Sequence, residues 1–232
     1  MDKRSWFITC EFDESSADAA RNDGSGSHDA AEAIVLGISG KPEEMVHTDR
    51  VAEAGVPLIK RFSGGGTIVC DRNTVFATFI AAEEAMPDVA PYPEPILAWT
   101  AGVYDDALRR CGVDQFRVNA NDYCLGELKF GGNAQSISGK RWLHHSSLLW
   151  DYDSERMELL KQPKRQPAYR ENRPHGNFVK ALKGDIGSRS ELVAALTAAA
   201  AERLELHEVS LQEAEQALSV PHRKVTTLVD PV

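Results

Sequence analysis

The sequence has little that would indicate a membrane, disulfide-rich or nucleic-acid-binding protein. Only four of its 232 residues are cysteines, and no two of them form a CxxC pair. A disulfide framework or zinc site is therefore not expected. We expect the protein in a reducing compartment. No apolar run approaches the length of a membrane span, and the formal net charge of −9 disfavours binding to nucleic-acid phosphates. These absences predict a soluble protein.

The amino terminus also lacks an apolar signal-peptide core and an Arg- and Ser-rich transit stretch. As written, the chain is expected in the cytoplasm; a mitochondrial or plastid location stays open if further residues precede Met1. A length of 232 residues suits one large domain. A chain of this size buries roughly 70–75% of its unfolded surface without covalent staples.

Short apolar runs dominate the first two thirds of the chain, and helical periodicity dominates the end. The polar stretch 13–31 is predicted to be a disordered loop, and 67–69 with 75–81 a hairpin turning at 71–73. Further strands are predicted at 5–12, 33–38, 56–61, 116–120, 123–125, 129–136 and 144–150, and helices at 43–54, 96–111, 190–204 and 211–218. This order favours an α+β fold with a largely antiparallel central sheet flanked by helices.

One short stretch, "RFSGGGTIVCD" from Arg61 to Asp71, places three consecutive glycines before a β-branched run. Glycine loses much backbone entropy on folding and brings no side chain to a core, so the room it leaves needs a use. One reading is a loose hairpin loop. The other is a loop whose N–H groups converge on an anionic ligand, with Arg61 as a fixed cation beside them.

A second stretch, "NDYCLGELKFGGNAQSISGKRWLHHSSLLWDYD" from Asn121 to Asp153, carries a glycine pair beside a lysine and then two histidines. Together the two stretches resemble the lipoate–protein ligase A family, within the wider biotin/lipoate ligase and octanoyltransferase group. The resemblance rests on an arginine before S/T-G-G-G, on Asn-Asp, on K-x-x-G-x-A and on H-H-x-x-L-L. In this chain these motifs are Arg61, Ser63, Gly64, Gly65, Gly66, Asn121, Asp122, Lys129, Gly132, Ala134, His144, His145, Leu148 and Leu149.

The resemblance implies a catalytic domain of the class II aminoacyl-tRNA synthetase and biotin ligase type over residues 1–232. The chain departs from some bacterial members of the family, because residues 186–232 are expected to form only a helical tail and no accessory domain. It also implies ATP-dependent attachment of lipoate or octanoate to a lysine through an acyl-adenylate. The cofactors implied are ATP and the Mg²⁺ that ATP carries. The implied acceptors are lipoyl domains of 2-oxoacid dehydrogenase complexes or the glycine cleavage H protein.

The chemistry of such a reaction requires a cation between two anions, the acyl carboxylate and the α-phosphate. Lys129 is the catalytic candidate, because Gly131 and Gly132 beside it would let the backbone approach the same pair of anions. The alternative interpretation of Lys129 is a solvated lysine on a strand. Gly64, Gly65 and Gly66 are the candidates for binding the acyl-phosphate. Binding roles for Ser63, Asn121 and Ala134 follow from the motifs alone.

Other candidates have structural alternatives of similar weight. His145 is expected to face the site and His144 the opposite side of the strand, yet either could be a hydrogen-bonded structural histidine. Asp122 could contact adenine, ribose or a metal, or it could be a turn residue. No His, Cys and carboxylate cluster has metal-ligand spacing, so no metal site built by the protein is expected.

Two other functions remain open at this stage. An octanoyltransferase of the same superfamily would use a cysteine beyond the lysine motif, but no cysteine follows Cys124, which is expected to be buried and inert. A catalytically silent lipoyl-binding or scaffold protein is the alternative of another class. A biotin ligase is disfavoured, because the chain lacks the arginine-rich glycine loop of that branch.

Overall fold

The computed structural model describes residues 4–10, 32–219 and 225–229. The predicted loop at 13–31 and the end of the first predicted strand lie outside these residues. The strands are β1 (Trp6–Cys10), β2 (Ala33–Leu36), β3 (Leu58–Lys60), β4 (Ile68–Cys70), β5 (Thr74–Ala82), β6 (Phe116–Asn119), β7 (Asp122–Leu125), β8 (Leu128–Ser138), β9 (Arg141–Leu149) and β10 (Thr227–Val229). The helices are α1 (Pro42–Met45), α2 (Thr48–Ala54), α3 (Pro93–Arg110), α4 (Ser154–Met157), α5 (His175–Phe178), α6 (Arg189–Ala201) and α7 (Leu211–Leu218), with a 3-10 helix at Ala168–Arg170.

Six strands form an antiparallel sheet in the order β1-β5-β9-β8-β7-β6. The long strands β5 and β9 pair over their whole lengths, from Thr74 opposite Leu149 to Ala82 opposite Arg141. Helices α3 and α6 pack together over one face of this sheet and share its larger hydrophobic core. The predicted α+β fold with a largely antiparallel sheet is confirmed.

The side chains of β9 alternate between the two faces of the sheet, as the period of a strand requires. Trp142, His144, Ser146 and Leu148 are buried on the face covered by α3 and α6. The intervening residues are only partly buried and face the opposite side. That second face carries the candidate site.

A smaller four-stranded sheet has the order β10-β3-β2-β4 and its own hydrophobic core. Here the prediction of a hairpin between 67–69 and 75–81 is wrong. Strand β4 pairs with β2 in the small sheet, whereas β5 pairs with β1 and β9 in the large one. The predicted turn does form, because Asp71 accepts hydrogen bonds from the N–H groups of Asn73 and Thr74, but it carries the chain from one sheet to the other.

The single helix predicted at 43–54 is broken into α1 and α2. The backbone is extended at Val46, which bridges to Leu160, and the N–H of His47 donates to the carbonyl of Leu159. Helix α3 begins at Pro93, three residues earlier than predicted, because a proline is tolerated in the first turn of a helix.

The carboxy-terminal region contains more than the predicted helices. Leu192, Leu196 and Ala199 of α6 belong to the larger core, and β10 adds an antiparallel strand to β3. Helix α6 is thus part of the core of the large sheet, and β10 is part of the small sheet. None of the helices that the structure describes is both long and apolar enough to cross a bilayer.

Candidate functional site

A cleft of about 530 Å³ opens between the two sheets. One wall is the glycine loop (Ser63–Thr67), and another is the connector (residues 163–174) with α5 behind it. Strands β8 and β9 of the large sheet form the remaining wall, with Lys129, Gly132, Ser147 and Leu149. The two stretches singled out in the sequence therefore meet in space. The cleft lies on the face of the large sheet that α3 and α6 leave free.

Arg61 is the internal support of the glycine loop. Its side chain is buried, and the guanidinium donates to the carbonyl oxygens of Gly64 at 2.9 Å and Gly66 at 2.8 Å, and to that of Val35 at 3.3 Å. Burial lowers the pKa of Arg61, but a guanidinium remains charged inside proteins. Arg61 thus shapes the loop through its carbonyl groups instead of projecting into the cleft.

This arrangement leaves the amide groups of the loop available. The N–H groups of Gly64, Gly65 and Gly66 donate no hydrogen bond to any described residue. Consecutive free N–H groups form an anion-binding concavity of the kind that holds phosphates. The predicted anion-binding loop is therefore compatible with the geometry.

The three glycines are not equivalent. Gly65 has φ +105°, and a Cβ there would lie 2.7 Å from Nη2 of Arg61. Its carbonyl oxygen would in turn lie 2.2 Å from a Cβ on Gly37. Gly64 and Gly66 have no heavy atom within 4 Å of such a Cβ. Gly65 is thus needed by the fold of the loop, while Gly66 borders the open cleft.

Lys129 lies on β8, and its ammonium is 2.7 Å from Oδ1 of Asp122. The two side chains are only 27% and 17% exposed, so solvent screens this pair less than an ordinary surface salt bridge. Lys129 and Asp122 both line the cleft. The lysine is therefore a partly buried, ion-paired cation at the site and not a solvated strand residue.

The second oxygen of Asp122 is also bound. The hydroxyl of Tyr169, in the 3-10 helix of the connector, donates to Oδ2 at 2.8 Å. Burial and the neighbouring Cys124 and Asp122 raise the pKa of Tyr169, so the phenol stays protonated. Sequence reasoning missed Tyr169, although an aromatic residue within a basic, proline-containing connector was a signal that could have identified it.

The glycine pair of β8 serves two purposes. A Cβ on Gly131 would lie 2.9 Å from Leu148 and 3.2 Å from Tyr123, so this residue permits close packing where β7 and β8 shift register. A Cβ on Gly132 would lie 3.4 Å from Nζ of Lys129. Gly132 therefore leaves room for the ammonium, whereas Gly131, which also lines the cleft, permits the close packing of Leu148 and Tyr123.

Asn121 and Ala134 lie at the edges of the site. Asn121 and Ala120 both have positive φ and form the two-residue turn between β6 and β7. The Asn121 carbonyl accepts a 2.7 Å hydrogen bond from Asn133. Ala134 is buried, and its Cβ would be 3.6 Å from a Cβ on Gly65. Both residues therefore support the walls of the cleft.

The two histidines lie on opposite faces of β9, as predicted from strand alternation. His145 shares a 2.9 Å hydrogen bond with the hydroxyl of Ser63 and so ties the glycine loop to the large sheet. Burial, followed by the nearby Arg61, lowers its pKa to about 4. His144 is buried on the helix side, where its Nε2 lies 2.7 Å from the hydroxyl of Tyr123.

The cleft is strongly basic although the chain is acidic. The cationic side chains that line it are Lys129, Lys161, Lys164, Arg165 and Arg170, against the carboxylates Glu44 and Asp122. Three polar atoms of its lining, Oγ1 of Thr67, Nη2 of Arg170 and Nε2 of His175, are buried without a partner among the described residues. Buried polar groups are normally hydrogen-bonded, so these atoms have hydrogen-bonding capacity left for a bound molecule or water.

The described residues contain no group of three or more His, Cys, Asp or Glu that could hold a metal ion. The two carboxylates of the cleft are already paired, Asp122 with Lys129 and Glu44 with Lys164. The residues present therefore do not form a Mg²⁺ site of their own.

Cys124 is fully buried and does not line the cleft. Burial raises the pKa of its thiol, and the Sγ atom lies 3.5 Å from the hydroxyl of Tyr169. A buried, protonated thiol is a poor nucleophile. The geometry thus agrees with the expectation that Cys124 carries no acyl group.

Comparison with known proteins shows similarity to lipoate-protein ligases. The family model for the lipoyl protein ligase A/B catalytic domain matches residues 28–203. A Plasmodium falciparum protein named inactive lipoate–protein ligase 2 is 29% identical in an alignment 181 residues long, which covers 65% of this chain and 47% of that protein. Lipoate-protein ligase LplJ of Bacillus subtilis is 27% identical over 120 residues, 51% of this chain and 34% of that protein. The chain spans less than half the length of these two relatives.

Solved structures show the same fold. A lipoate-protein ligase A bound with ATP superposes with a TM-score of 0.69 at 20% identity, covering 82% of this chain and 76% of the other. A Thermoplasma acidophilum protein with bound lipoic acid has a TM-score of 0.65 at 18% identity, with the same coverage. A bipartite lipoate protein ligase of T. acidophilum, described with its E2 lipoyl domain, has a TM-score of 0.66 at 19% identity, covering 82% and 74%.

Proposed function

Because the chain belongs to the lipoyl protein ligase A/B catalytic domain family, we propose that it attaches lipoate or octanoate to a lysine of a lipoyl acceptor domain through an acyl-adenylate made from ATP. The observation that carries this proposal is the position of the Lys129 ammonium, in the same cleft as the free N–H groups of the glycine loop. A cation and an anion-binding loop lining one cleft suit a ligand with a charged mixed anhydride at its centre.

In the first half-reaction, a carboxylate oxygen of the acyl substrate would attack the α-phosphorus of ATP and displace pyrophosphate. Lys129 would bind both the attacking carboxylate and the α-phosphate, which reduces their repulsion and stabilises the charge that develops. The cations at the other side of the cleft, Lys161, Lys164 and Arg165, would hold the departing phosphates. We expect Mg²⁺ to arrive with ATP and to keep phosphate and water ligands.

The apolar part of the lining suits the acyl chain. Met45, Ile68, Leu149, Met157 and Leu160 line the cleft beside the polar residues. Burial of each methylene stabilises binding by about 0.8 kcal/mol, so a short aliphatic chain gains several kcal/mol there.

In the second half-reaction, the amine of the acceptor lysine would attack the acyl carbon, and AMP would leave with the bridging oxygen. A related protein has been described with its E2 lipoyl domain, which supports a lipoyl domain as the acceptor. The glycine cleavage H protein is a second acceptor of the same chemical kind. Residues 1–232 would form a single catalytic domain.

A silent lipoyl-binding protein is the second candidate, because one relative carries the name of an inactive ligase. A transferase that takes its acyl group from a carrier protein or from acyl-AMP is the third. A transferase with a thioester intermediate would need a reachable thiolate, and the buried Cys124 does not supply one.

One paired assay separates the three. With ATP and lipoate, we expect release of pyrophosphate and, with an added lipoyl domain, a mass increase equal to one lipoyl group. With octanoyl carrier protein and no ATP, we expect no transfer. Transfer only in the second reaction would establish a transferase that uses a carrier protein, and transfer only from added lipoyl-AMP would establish a transferase that uses acyl-AMP. Binding of lipoate with none of these reactions would establish a silent binder.

A further inference from the structure

Tyr169 occupies a position that neither the motifs nor the overall fold assigns. Its hydroxyl donates to Oδ2 of Asp122 at 2.8 Å, while Oδ1 of the same carboxylate lies 2.7 Å from the ammonium of Lys129. The carboxylate of Asp122 therefore bridges a phenol and an ammonium. With both oxygens bound, its orientation is determined from two sides.

The phenol is itself held in place. The Sγ atom of Cys124 lies 3.5 Å from the phenol oxygen, within reach of a weak S–H hydrogen bond. The ring of Tyr169 packs on Phe178 with centroids 5.2 Å apart. Arg173 donates to the Tyr169 carbonyl at 2.8 Å and to the Glu127 carbonyl at 3.3 Å, which binds the 3-10 helix to the loop before β8.

Lys129 needs such support. A lysine side chain has a flexible stem of four carbons, and fixing its rotamers costs about 2 kcal/mol of entropy. The ammonium of an isolated strand lysine therefore samples many positions. A single hydrogen-bonded oxygen would leave the carboxylate of Asp122 free to rotate, and the ammonium would move with it. The Tyr169 hydroxyl removes this freedom without contributing a charge.

We propose that Tyr169 is a positioning residue, which fixes the carboxylate of Asp122 and thereby holds the Lys129 ammonium at the wall of the cleft. Because Tyr169 belongs to the connector, the orientation of Lys129 depends on the connector being docked against β7 and β8. The catalytic consequence of this arrangement rests on the proposed function, whereas the restraint on Lys129 does not.

The first test observes the ammonium directly. In protein labelled with ¹⁵N at lysine Nζ, a restrained, ion-paired ammonium gives a resolved resonance, which Lys129→Arg identifies by its loss. We expect this resonance in the wild type and its loss or broadening in Tyr169→Phe, which retains the ring contact with Phe178 but lacks the hydroxyl. The matched control is Tyr152→Phe, a partly buried tyrosine of the smaller core, which should leave the resonance unchanged.

The proposal is overturned if Tyr169→Phe leaves the Lys129 resonance unaltered, or if the wild type shows no such resonance. Both results would mean that the phenol does not restrain the ammonium. Neither result depends on whether the protein makes an adenylate.

The second test measures the consequence for catalysis by lipoate-dependent exchange of pyrophosphate into ATP. We expect Tyr169→Phe to lower kcat about tenfold with KM for lipoate and ATP unchanged, and to cause no further loss when added to Asp122→Asn. Independent, multiplicative losses in the double variant would overturn the proposal, because a merely structural tyrosine does not act through Asp122. An inactive wild type would contradict the proposed function, and the resonance of Lys129 would still decide the role of Tyr169.

Discussion

At the scale of the residue, the ammonium of Lys129 determines what the cleft can do. It lies between Asp122 on one side and the space left by Gly132 on the other, and it is the cation that β8 contributes to the cleft. A guanidinium is larger and planar and presents its donors in a fixed fork, so we expect it to misplace the contacts that the ammonium makes. The position is therefore suited to lysine in particular.

We predict that Lys129→Ala and Lys129→Arg each lower the rate of adenylate formation by about 10²–10³, the usual effect of losing one preorganised donor. Circular dichroism should show unchanged folding in both. The matched control is Lys140→Ala, since Lys140 is a largely exposed lysine in the turn between β8 and β9. Wild-type rates in the Lys129 variants would show that Lys129 is a structural surface residue.

The glycine loop yields a contrast between two neighbouring residues. Gly65→Ala forces a Cβ against Arg61 at φ +105°, so we expect a loss of about 1–3 kcal/mol in the free energy of unfolding. Gly66→Val places its side chain in open space beside the cleft, so stability should stay the same while adenylate formation falls. Urea denaturation and the pyrophosphate exchange assay measure the two effects. Equal loss of stability in both variants would contradict this division of roles.

At the scale of the element, the hydrogen bond from His145 of β9 to Ser63 joins the glycine loop to the large sheet. Burial, followed by the nearby Arg61, lowers the pKa of this imidazole to about 4 from the usual 6.5, so the ring stays neutral in the folded protein well below neutral pH. The unfolded chain therefore binds more protons than the folded one between about pH 6.5 and pH 4. Stability due to the neutral imidazole is present above this window and is lost as the pH falls through it.

The variant His145→Gln retains a hydrogen-bonding side chain but cannot be protonated. We predict that, between pH 7 and pH 5, the free energy of unfolding falls by about 2 kcal/mol more in the wild type than in this variant. Urea denaturation at the two pH values measures the difference. The buried His144, whose pKa is lowered to about 3 by burial and by the nearby His145, remains in both proteins. The same pH dependence in both proteins would contradict a lowered pKa for the partly buried His145.

At the scale of the whole molecule, two sheets with separate cores enclose the cleft, and α6 stabilises the larger core. Leu196 of α6 is 1% exposed within that core, whereas Leu211 of α7 is 76% exposed. We predict that Leu196→Ala lowers the free energy of unfolding by about 2–5 kcal/mol. Leu211→Ala should change it by less than about 0.5 kcal/mol. Similar values for both would contradict the assignment of α6 to the core.

The strong local patterns of the sequence predicted much of the fold. The alternation in β5 and β9 and the apolar face of α3 arise from side chains whose burial is decided within one element, and these predictions are confirmed. The hairpin at 67–81 was wrong because a turn formed by Asp71 has the same local chemistry whether the strands pair with each other or with different sheets. Sheet membership is a long-range property that a local pattern does not contain.

The candidate site likewise combines features that local motifs predicted with long-range contacts that they did not. Motifs brought Lys129, Asp122 and the glycine loop together, but they did not reveal that Arg61 supports the loop or that Tyr169 reaches Asp122 across 47 residues of chain. Both contacts depend on the direction of a side chain in the folded molecule. The roles of these residues remain predictions until variants are measured.

Binding of a non-reactive acyl-adenylate mimic, lipoyl-sulfamoyl-adenosine, tests the central claim most directly. The mimic places an acyl chain, an anionic centre and adenosine in the cleft at once, and it requires neither turnover nor an acceptor. Calorimetry should show one site per chain, tighter binding than for ATP or lipoate alone, and marked weakening in both Lys129→Ala and Gly66→Val. Absence of binding, or binding that these two variants leave unchanged, would contradict the assignment of the cleft as an acyl-adenylate site.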